Sequence, residues 1–434
     1  MTSSMKKRIT QIRHAQVPKG YMKTIFGVVP DAWHKSRIDE ICRLSSGSTP
    51  RRDNAGNFNG NILWVTSGEL KAKFVHDTKE KVSQLATKES RLELYEPGTV
   101  VVAIYGLEAA GIRGTASIIE KRCTISQACM AFSDFKGVDN EFLYYWYLHN
   151  GPLIGIRFAQ GTKQQNLSSE TIGSLPICFP PLAEQRKIAK ILATQDRVIE
   201  LLNQKIEQLK QLKKYYLRKM FPQHAKTVPE VRFPGFTGAW EKHQLGEIVA
   251  FSKGNGYSKA DLKATGTPII LYGRLYTKYE MEVSDVDTFA MAKPGSVYSH
   301  GDEVIVPASG ETAEDIAVAS VVKQSGILLG GDINILTPSS DVDSLFMAIS
   351  LSGGSAHGDV IKMAQGKSVV HLHQTDLRKV VLAYPTRSEQ MRINGYFRNL
   401  GRLIALNQRK QDEEVQKKKA LMQLLLTGIV RVNV

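Results

Sequence analysis

The sequence predicts an α+β protein in which two strand-rich domains are separated by two long antiparallel coiled-coil helices, arranged as a pseudo-twofold, cyclic repeat. Three observations predict it. A block of matched residues recurs 205 positions further along the chain. Two stretches of about 40 residues carry heptad-spaced apolar positions. The rest is cut into short apolar runs bounded by Gly, Pro, Ser and Asp, the pattern of strands and turns.

The repeat is the strongest of the three. Ala159-Gln160-Gly161 matches Ala364-Gln365-Gly366, and the register then holds without a gap. Leu167 falls on Leu372, Pro180 on Pro385, Glu184 on Glu389, Gln185 on Gln390 and Ile188 on Ile393. Upstream the match loosens but keeps its order: Trp33 corresponds to Trp240, and Tyr95 to Gly106 corresponds to Ser299 to Gly310. Four segments follow: a first strand-rich domain over 1–181, a helix over 182–222, a linker and second domain over 223–386, and a second helix with its tail over 387–434. Within the domains, "TVVVAIY", "TASIIE", "TPIILYG" and "EVIVPAS" read as strands, and "NEFLYYWYLHN" and "SLFMAISL" as short helices.

Leu182 to Phe221 contains neither Gly nor Pro. Its apolar seam is Ile188, Leu192, Ile199, Leu202, Ile206, Leu209, Tyr216 and Met220, with Gln195 as a polar exception. The second stretch repeats the seam with Ile393, Phe397, Leu400, Ile404, Met422 and Leu425, and Asn407, Gln411 and Glu414 make its middle more polar. Each helix would extend about 60 Å at 1.5 Å per residue. A domain of this size cannot cover such a seam, so the two helices are expected to pair antiparallel. Packing of each helix on its own domain is the competing arrangement.

Composition bounds the function. The formal net charge is +15 and the sequence pI about 9.4, which favours a polyanionic partner, nucleic acid before membrane. No run approaches the ~18 apolar residues of a membrane helix, and Met1 to Gln16 is polar and basic, unlike a secretory signal. Cys42, Cys123, Cys129 and Cys178 form no Cys-x-x-Cys pair and read as thiols of a reducing compartment. A cytoplasmic protein with no membrane role is expected.

The matched segments also carry a resemblance. "GTKQQNLSSETIGSLPICFPPLAEQRKIAKIL" (Gly161 to Leu192) resembles the segment leading into the first long helix of type I restriction–modification specificity subunits. "VRFPGFTGAWEKHQLGEI" resembles the opening of their second recognition domain; "SGSTPRR", "GNILWVTSGEL", "SGETAEDIAVASV" and "LLLTGIVRV" are similar to further family segments in the family's order. The resemblance implies two target-recognition domains, each reading one half of a bipartite, asymmetric target in double-stranded DNA. It implies helices that set the spacing and dock two modification (methyltransferase) subunits. Those partners would hold S-adenosylmethionine and methylate adenine; this chain would hold no cofactor and no metal. Two restriction (translocase–nuclease) subunits are compatible with the same assembly. One departure stands out: Gln390-Met391-Arg392 replaces Gln185-Arg186-Lys187, and Pro385-Thr386 replaces Pro180-Pro181, so the two ends need not dock a partner equally.

A search for catalytic motifs finds none complete. Gly366-Lys367-Ser368 ends like a phosphate-binding loop, but Ile361 stands where its first glycine is required. Gly254-Asn255-Gly256 opens like a dinucleotide fingerprint, but its third glycine is Lys259. Phe179-Pro180-Pro181-Leu182 lacks the flanking residues of an adenine methyltransferase loop and reads as a helix start. His371 and His373 share one side of a strand, but two ligands do not make a zinc site. A non-catalytic DNA-reading subunit is therefore expected. A coiled-coil scaffold without a DNA role and a self-contained DNA-modifying enzyme are the alternatives.

Expected DNA contacts are polar residues on Gly-flanked loops, since Arg suits guanine, Gln and Asn suit adenine, and Lys suits phosphate. In the first domain these are Arg51, Arg52, Arg113, Lys163, Gln164, Gln165 and Asn166. In the second they are Tyr257, Arg274, Tyr276, Lys278, Lys367, His371 and His373. Each competes with an ordinary solvated side chain. The Lys163–Asn166 cluster stands first, because four such side chains meet between a glycine and the helix start.

Overall fold

The computed structural model describes residues 3–14, 16–161, 163–223, 226–366 and 369–432. The chain forms two compact units. The first is Met1–Leu201 together with Gln411–Val434; the second is Leu202–Lys410.

Each unit is built on a five-stranded sheet. In the first unit the strand order is Arg43–Ser46, Cys129–Ser133, Val100–Ala103, Ala116–Ile119, Phe74–Val75. In the second it is Val249–Lys253, Ile333–Pro338, Glu303–Pro307, Ser320–Val322, Glu282–Val283. Both sheets are antiparallel except for the last pair, which is parallel. The central strand Val100–Ala103 is apolar at every position because both of its faces are covered. A helix packs on each sheet: Asn140–Phe158, capped by Asp139, and Ser344–Gly353, capped by Asp343. The first continues past Asn150, where the sequence predicts its end. Gly151 and Gly155 leave room there for Gly114 and the Arg113 side chain, which a Cβ would meet at 2.7 and 2.5 Å.

A smaller sheet joins each unit, and here they differ. The first unit has three strands, Cys123–Ile125, Ile62–Val65 and Lys81–Val82. The second has four, Leu262–Lys263, Phe289–Ala290, Thr267–Ile270 and Leu328–Leu329. A two-stranded ribbon leads into each long helix: Pro176–Phe179 pairs with His34–Arg37, and Val381–Tyr384 with Glu241–Gln244. Trp33 and Trp240, matched in the sequence, are buried just before the equivalent ribbon strands.

The long helices are Leu182–Lys219 and Arg387–Leu426. In the first unit Ile188 and Leu192 share the core with Met422 and Leu425, while Gln195 and Asp196 meet Glu414 and Lys418. Numbers rise on one helix as they fall on the other, so the pairing is antiparallel. In the second unit Met220 and Phe221 share the core with Ile393 and Phe397, and Tyr216 packs edge-on to Tyr396 at 5.1 Å. Ile188, Leu192, Ile206, Met220, Ile393, Phe397, Leu400, Met422 and Leu425 are buried; Ile199, Leu202, Leu209, Tyr216 and Ile404 are half-buried. Both arrangements weighed from the sequence are thus combined: the helices pair, and their ends belong to the core of each unit.

The helix Ser3–Arg13 and the hairpin Tyr21–Thr24/Gly27–Pro30 were not anticipated from composition. The Arg8 guanidinium donates to the Tyr21 hydroxyl, which donates to the Gly428 carbonyl (2.8 and 2.9 Å).

Candidate nucleic-acid interface

Each unit carries the same tight hairpin just before the last strand of its ribbon. In the first unit Gln160 bridges Asn166, and Gly161 turns the chain at φ +103°. A Cβ on Gly161 would lie 2.0 Å from the Gln164 carbonyl oxygen, so only glycine fits. In the second unit Gln365 bridges His371, Gly366 sits at φ +137°, and its Cβ would lie 2.0 Å from the Val369 carbonyl oxygen. Both hairpins are anchored to the sheet through the residue that follows. The Leu167 amide donates to Ile104 O and the Leu372 amide to Ala308 O, each at 2.9 Å.

The first hairpin is clamped to the loop 104–115. The Gln165 carbonyl accepts from the Leu107 amide at 3.1 Å, and the Gln165 amide donates to the Glu108 carboxylate at 2.7 Å. That amide, with Glu108's own, holds the Glu108 carboxyl below its ordinary pKa. The Arg113 guanidinium donates to Gln165 Oε1 at 2.6 Å, which fixes the amide plane and leaves its NH₂ group to donate elsewhere. Lys163 and Gln164 are exposed at the turn. In the second hairpin the Ser309 hydroxyl meets His371 Nδ1 at 3.0 Å, and the rings of His371 and His373 lie nearly parallel, 6.1 Å apart. Both histidines are exposed, but they do not share a strand as the sequence suggested: His371 ends the strand Val370–His371, and His373 precedes the short helix Gln374–Leu377. Tyr276 is half-buried beside Gly310, which pairs with Val370 where the short strands Ser309–Gly310 and Val370–His371 run antiparallel.

The chain has known relatives. Residues 30–211 match the type I restriction modification DNA specificity domain. The MjaVIII type I restriction enzyme specificity subunit of Methanocaldococcus jannaschii is 22% identical over 421 residues, spanning 93% of this chain and 94% of its own. The putative MjaX specificity subunit of the same organism is 26% identical over 286 residues, 63% of this chain and 64% of its own. The S subunit of the type I restriction–modification system of M. genitalium has a similar fold, with a TM-score of 0.53 at 16% identity over 93% of this chain and 97% of that one. A chain solved in work on complex assembly and conformational transition of a type I system gives 0.57 at 16% identity, covering 93% and 99%. The chain thus carries a type I restriction–modification DNA specificity domain over residues 30–211, and its full-length relatives are specificity subunits of such systems.

Not every expected contact lies on such a surface. Tyr257 is buried at 8% exposure, and its hydroxyl meets Ser296 Oγ at 2.5 Å and accepts from the Lys293 amide at 2.9 Å. It is a structural residue of the smaller sheet and leaves the contact list. Arg274 leaves it too: its buried guanidinium ion-pairs with Glu280 at 3.0 Å and donates to the Asp285 carbonyl at 2.8 Å. Arg52 pairs with Glu80 through two bonds of 2.8 and 2.9 Å and lies over the Phe58 and Trp64 rings, so a phosphate would have to displace Glu80. Lys278 is exposed but paired with Asp287 at 2.8 Å. Arg51 is exposed on a turn. The Asn166 backbone makes the hairpin bridge, and its Oδ1 is buried without a partner. Lys367 lies outside the described residues. Among the described residues no group of three or more His, Cys, Asp or Glu could hold a metal ion, and no helix is long and apolar enough to cross a membrane.

Sequence reasoning missed the sockets where the long helices begin. Glu184 is buried and receives two bonds from Arg431, at 2.7 and 2.6 Å; Glu389 receives the same pair from Arg232. Gln185 Oε1 accepts from the Asp139 amide, while its Nε2 donates to the carbonyls of Gly137 and Pro180. Gln390 repeats this with the Asp343 amide and the carbonyls of Asp341 and Pro385. The matched Glu-Gln pair was visible in the repeat. The arginines were not, because "VRF" and "VRV" fall after linkers of unequal length. The altered Met391 is exposed, so the two ends differ on their outer face and agree inside.

Proposed function

We propose that this chain is a specificity subunit that reads a bipartite, asymmetric DNA target, one half with each unit. One observation carries the reading: the same glycine-turned hairpin is built twice on equivalent sheets and armed with different side chains. Arg113, Lys163, Gln164 and Gln165 serve the first half-site; His371, His373 and Tyr276 serve the second. Equivalent backbones give equivalent placement on the duplex, and unlike side chains give unlike base preference.

The paired helices act as the spacer and as the docking surface for two modification subunits. Leu201, Leu212, Tyr215, Leu403 and Leu406 are exposed along them, which suits partner helices better than water. S-adenosylmethionine belongs to those partners in this reading, and the subunit contributes no reacting group. A scaffold without a DNA role leaves the duplicated hairpins unexplained, and a self-contained enzyme would need a catalytic motif that the sequence lacks.

The test is methylation of DNA by the chain with modification subunits and by the chain alone. Methylation is expected only from the complex; methyl transfer by the isolated chain would refute the reading. Lys163→Ala should weaken binding to all sequences and lower the salt slope by about one unit. Gln164→Ala should relax one base preference, by roughly 1–3 kcal/mol. Seven residues added to each long helix at facing levels lengthen the pair by about 10 Å. The methylated consensus should then show a longer unread spacer with unchanged half-sites.

A further inference from the structure

The helix repeat holds through both long helices, so each helix position has a counterpart 205 residues away. Lys418 corresponds to Lys213, and Asp196 to Gly401. In the first unit the Lys418 ammonium pairs with Asp196 at 2.5 Å, and the same carboxylate accepts from the Tyr145 hydroxyl at 2.7 Å. In the second unit the lysine is kept and the carboxylate is gone. Lys213 is half-buried, lies over the Tyr279 ring at 5.6 Å, and has no acidic partner among the described residues.

Lys213 instead lines a cleft of about 1020 Å³ within the second unit, between the helix pair and the strand-rich part. Lys214, Arg218 and Arg402 line it too, and none has an acidic partner among the described residues. The acids at its wall are engaged: Glu282 takes two bonds from Arg398, at 2.8 and 2.9 Å, and Glu280 pairs with Arg274. Leu217, Met281 and Ile404 give the cleft an apolar floor. Burial pushes the Lys213 ammonium's pKa down, the sign of a cation whose counter-charge is missing.

We infer that this cleft binds a phosphate-bearing anion, whose phosphate takes the place that Asp196 fills in the first unit. Several convergent cations without a resident counter-ion are the chemistry of phosphate recognition. The volume is at the upper end of the range for small-molecule sites, roughly 300–1,000 Å³. The phosphate can come from a soluble polyphosphate compound or from a DNA backbone. The inference stands whether or not the hairpins read bases.

The repeat also supplies the test. Gly401→Asp restores the missing carboxylate, and Lys213→Met removes the cation while keeping an apolar stem. Gly401→Ala is the steric control: its Cβ meets only the Met281 methyl, at 2.7 Å, a flexible end that can move. Binding of tripolyphosphate, ATP and a duplex of unrelated sequence to the full chain is measured by calorimetry. Tripolyphosphate should bind the unsubstituted chain and Gly401→Ala alike, and at least tenfold more weakly to the other two. The same pattern with ATP identifies a soluble ligand; the same pattern with the duplex alone identifies backbone phosphate. No binding of any probe, or equal binding by Gly401→Asp and Gly401→Ala, overturns the inference. If the charge variants do not fold, reductive methylation of the unsubstituted chain decides. Lys213 should be protected by at least one of the three probes, and equal modification with and without each of them overturns it.

Discussion

Where the long helices begin, the two units are interchangeable; two to three turns further in, they are not. Glu184 and Glu389 each accept a forked guanidinium, and Gln185 and Gln390 each tie the helix start to three backbone groups. Beyond them, the first unit buries a polar layer in which Gln195 donates to the Glu414 carbonyl and carboxylate, at 3.1 and 2.5 Å. The second unit has Leu400 and Leu209 at the matching positions. The sockets must orient a helix against a ribbon, and every buried donor and acceptor there needs its partner. The middle layer only has to keep two helices together, which a polar pair and an apolar pair both do. Geometry is held where many backbone groups depend on it and drifts where two side chains settle the matter between themselves.

The largest expected effect separates the two sockets. Glu389→Ala leaves the buried Arg232 guanidinium without its carboxylate and should cost about 3–5 kcal/mol. Glu184→Ala should cost less, because Arg431 is 40% exposed against 13% for Arg232 and water can solvate it. Hydrogen exchange of amides in each unit measures both; equal losses would show that exposure of the arginine does not matter. Next comes the polar layer. Gln195→Leu alone removes both bonds from Gln195 to Glu414, whose carboxylate keeps Lys417, and should cost about 1–3 kcal/mol. Adding Glu414→Leu imitates the second unit and should recover most of that loss, to within about 1 kcal/mol of the parent in a double-mutant cycle.

The hairpins should resemble each other more closely. Gly161→Ala and Gly366→Ala each drive a Cβ into a carbonyl oxygen at positive φ and should cost roughly 1–3 kcal/mol locally. Each should blur one half-site in the methylated consensus and leave the other intact; blurring of both by one variant would break the one-unit, one-half-site assignment. The smallest effect on the chain itself is expected at the exposed apolar positions. Leu403→Ser should change stability by less than about 0.5 kcal/mol while weakening capture of modification subunits in a pull-down titration.

The duplicated plan was legible because it rests on local patterns. Heptad spacing marked both helices, and alternating or continuous apolar runs marked the central strands. The fixed offset from Ala159 to Ile188 carried the glycine turns with it. The candidate contacts were less legible, since a polar side chain on a loop looks the same in sequence whether it faces solvent or a carboxylate. Arg274 and Tyr257 are used inside the fold by Glu280 and Ser296, partners that only the folded chain brings near. Arg113 and Gln165 were each named on chemistry alone, and their mutual bond needed the loop 104–115 to come back on the hairpin. The Lys213 cleft was missed for another reason. Its meaning lies in a missing group, and Gly401 becomes informative only once Asp196 is seen holding Lys418 in the other copy.

The arginine that completes the first unit's socket stands 247 residues after the glutamate it holds. Proteins leave the ribosome from the N-terminus, and domains commonly fold in that order. Here the order inverts. The second unit has all of its parts once Lys410 has emerged, whereas the first must wait for Gln411 onward, Met422, Leu425 and Arg431 included. The half made first is therefore finished last. Until then its core lacks Met422, Leu425 and Leu426, so for most of the chain's synthesis it is the earlier half that needs shelter.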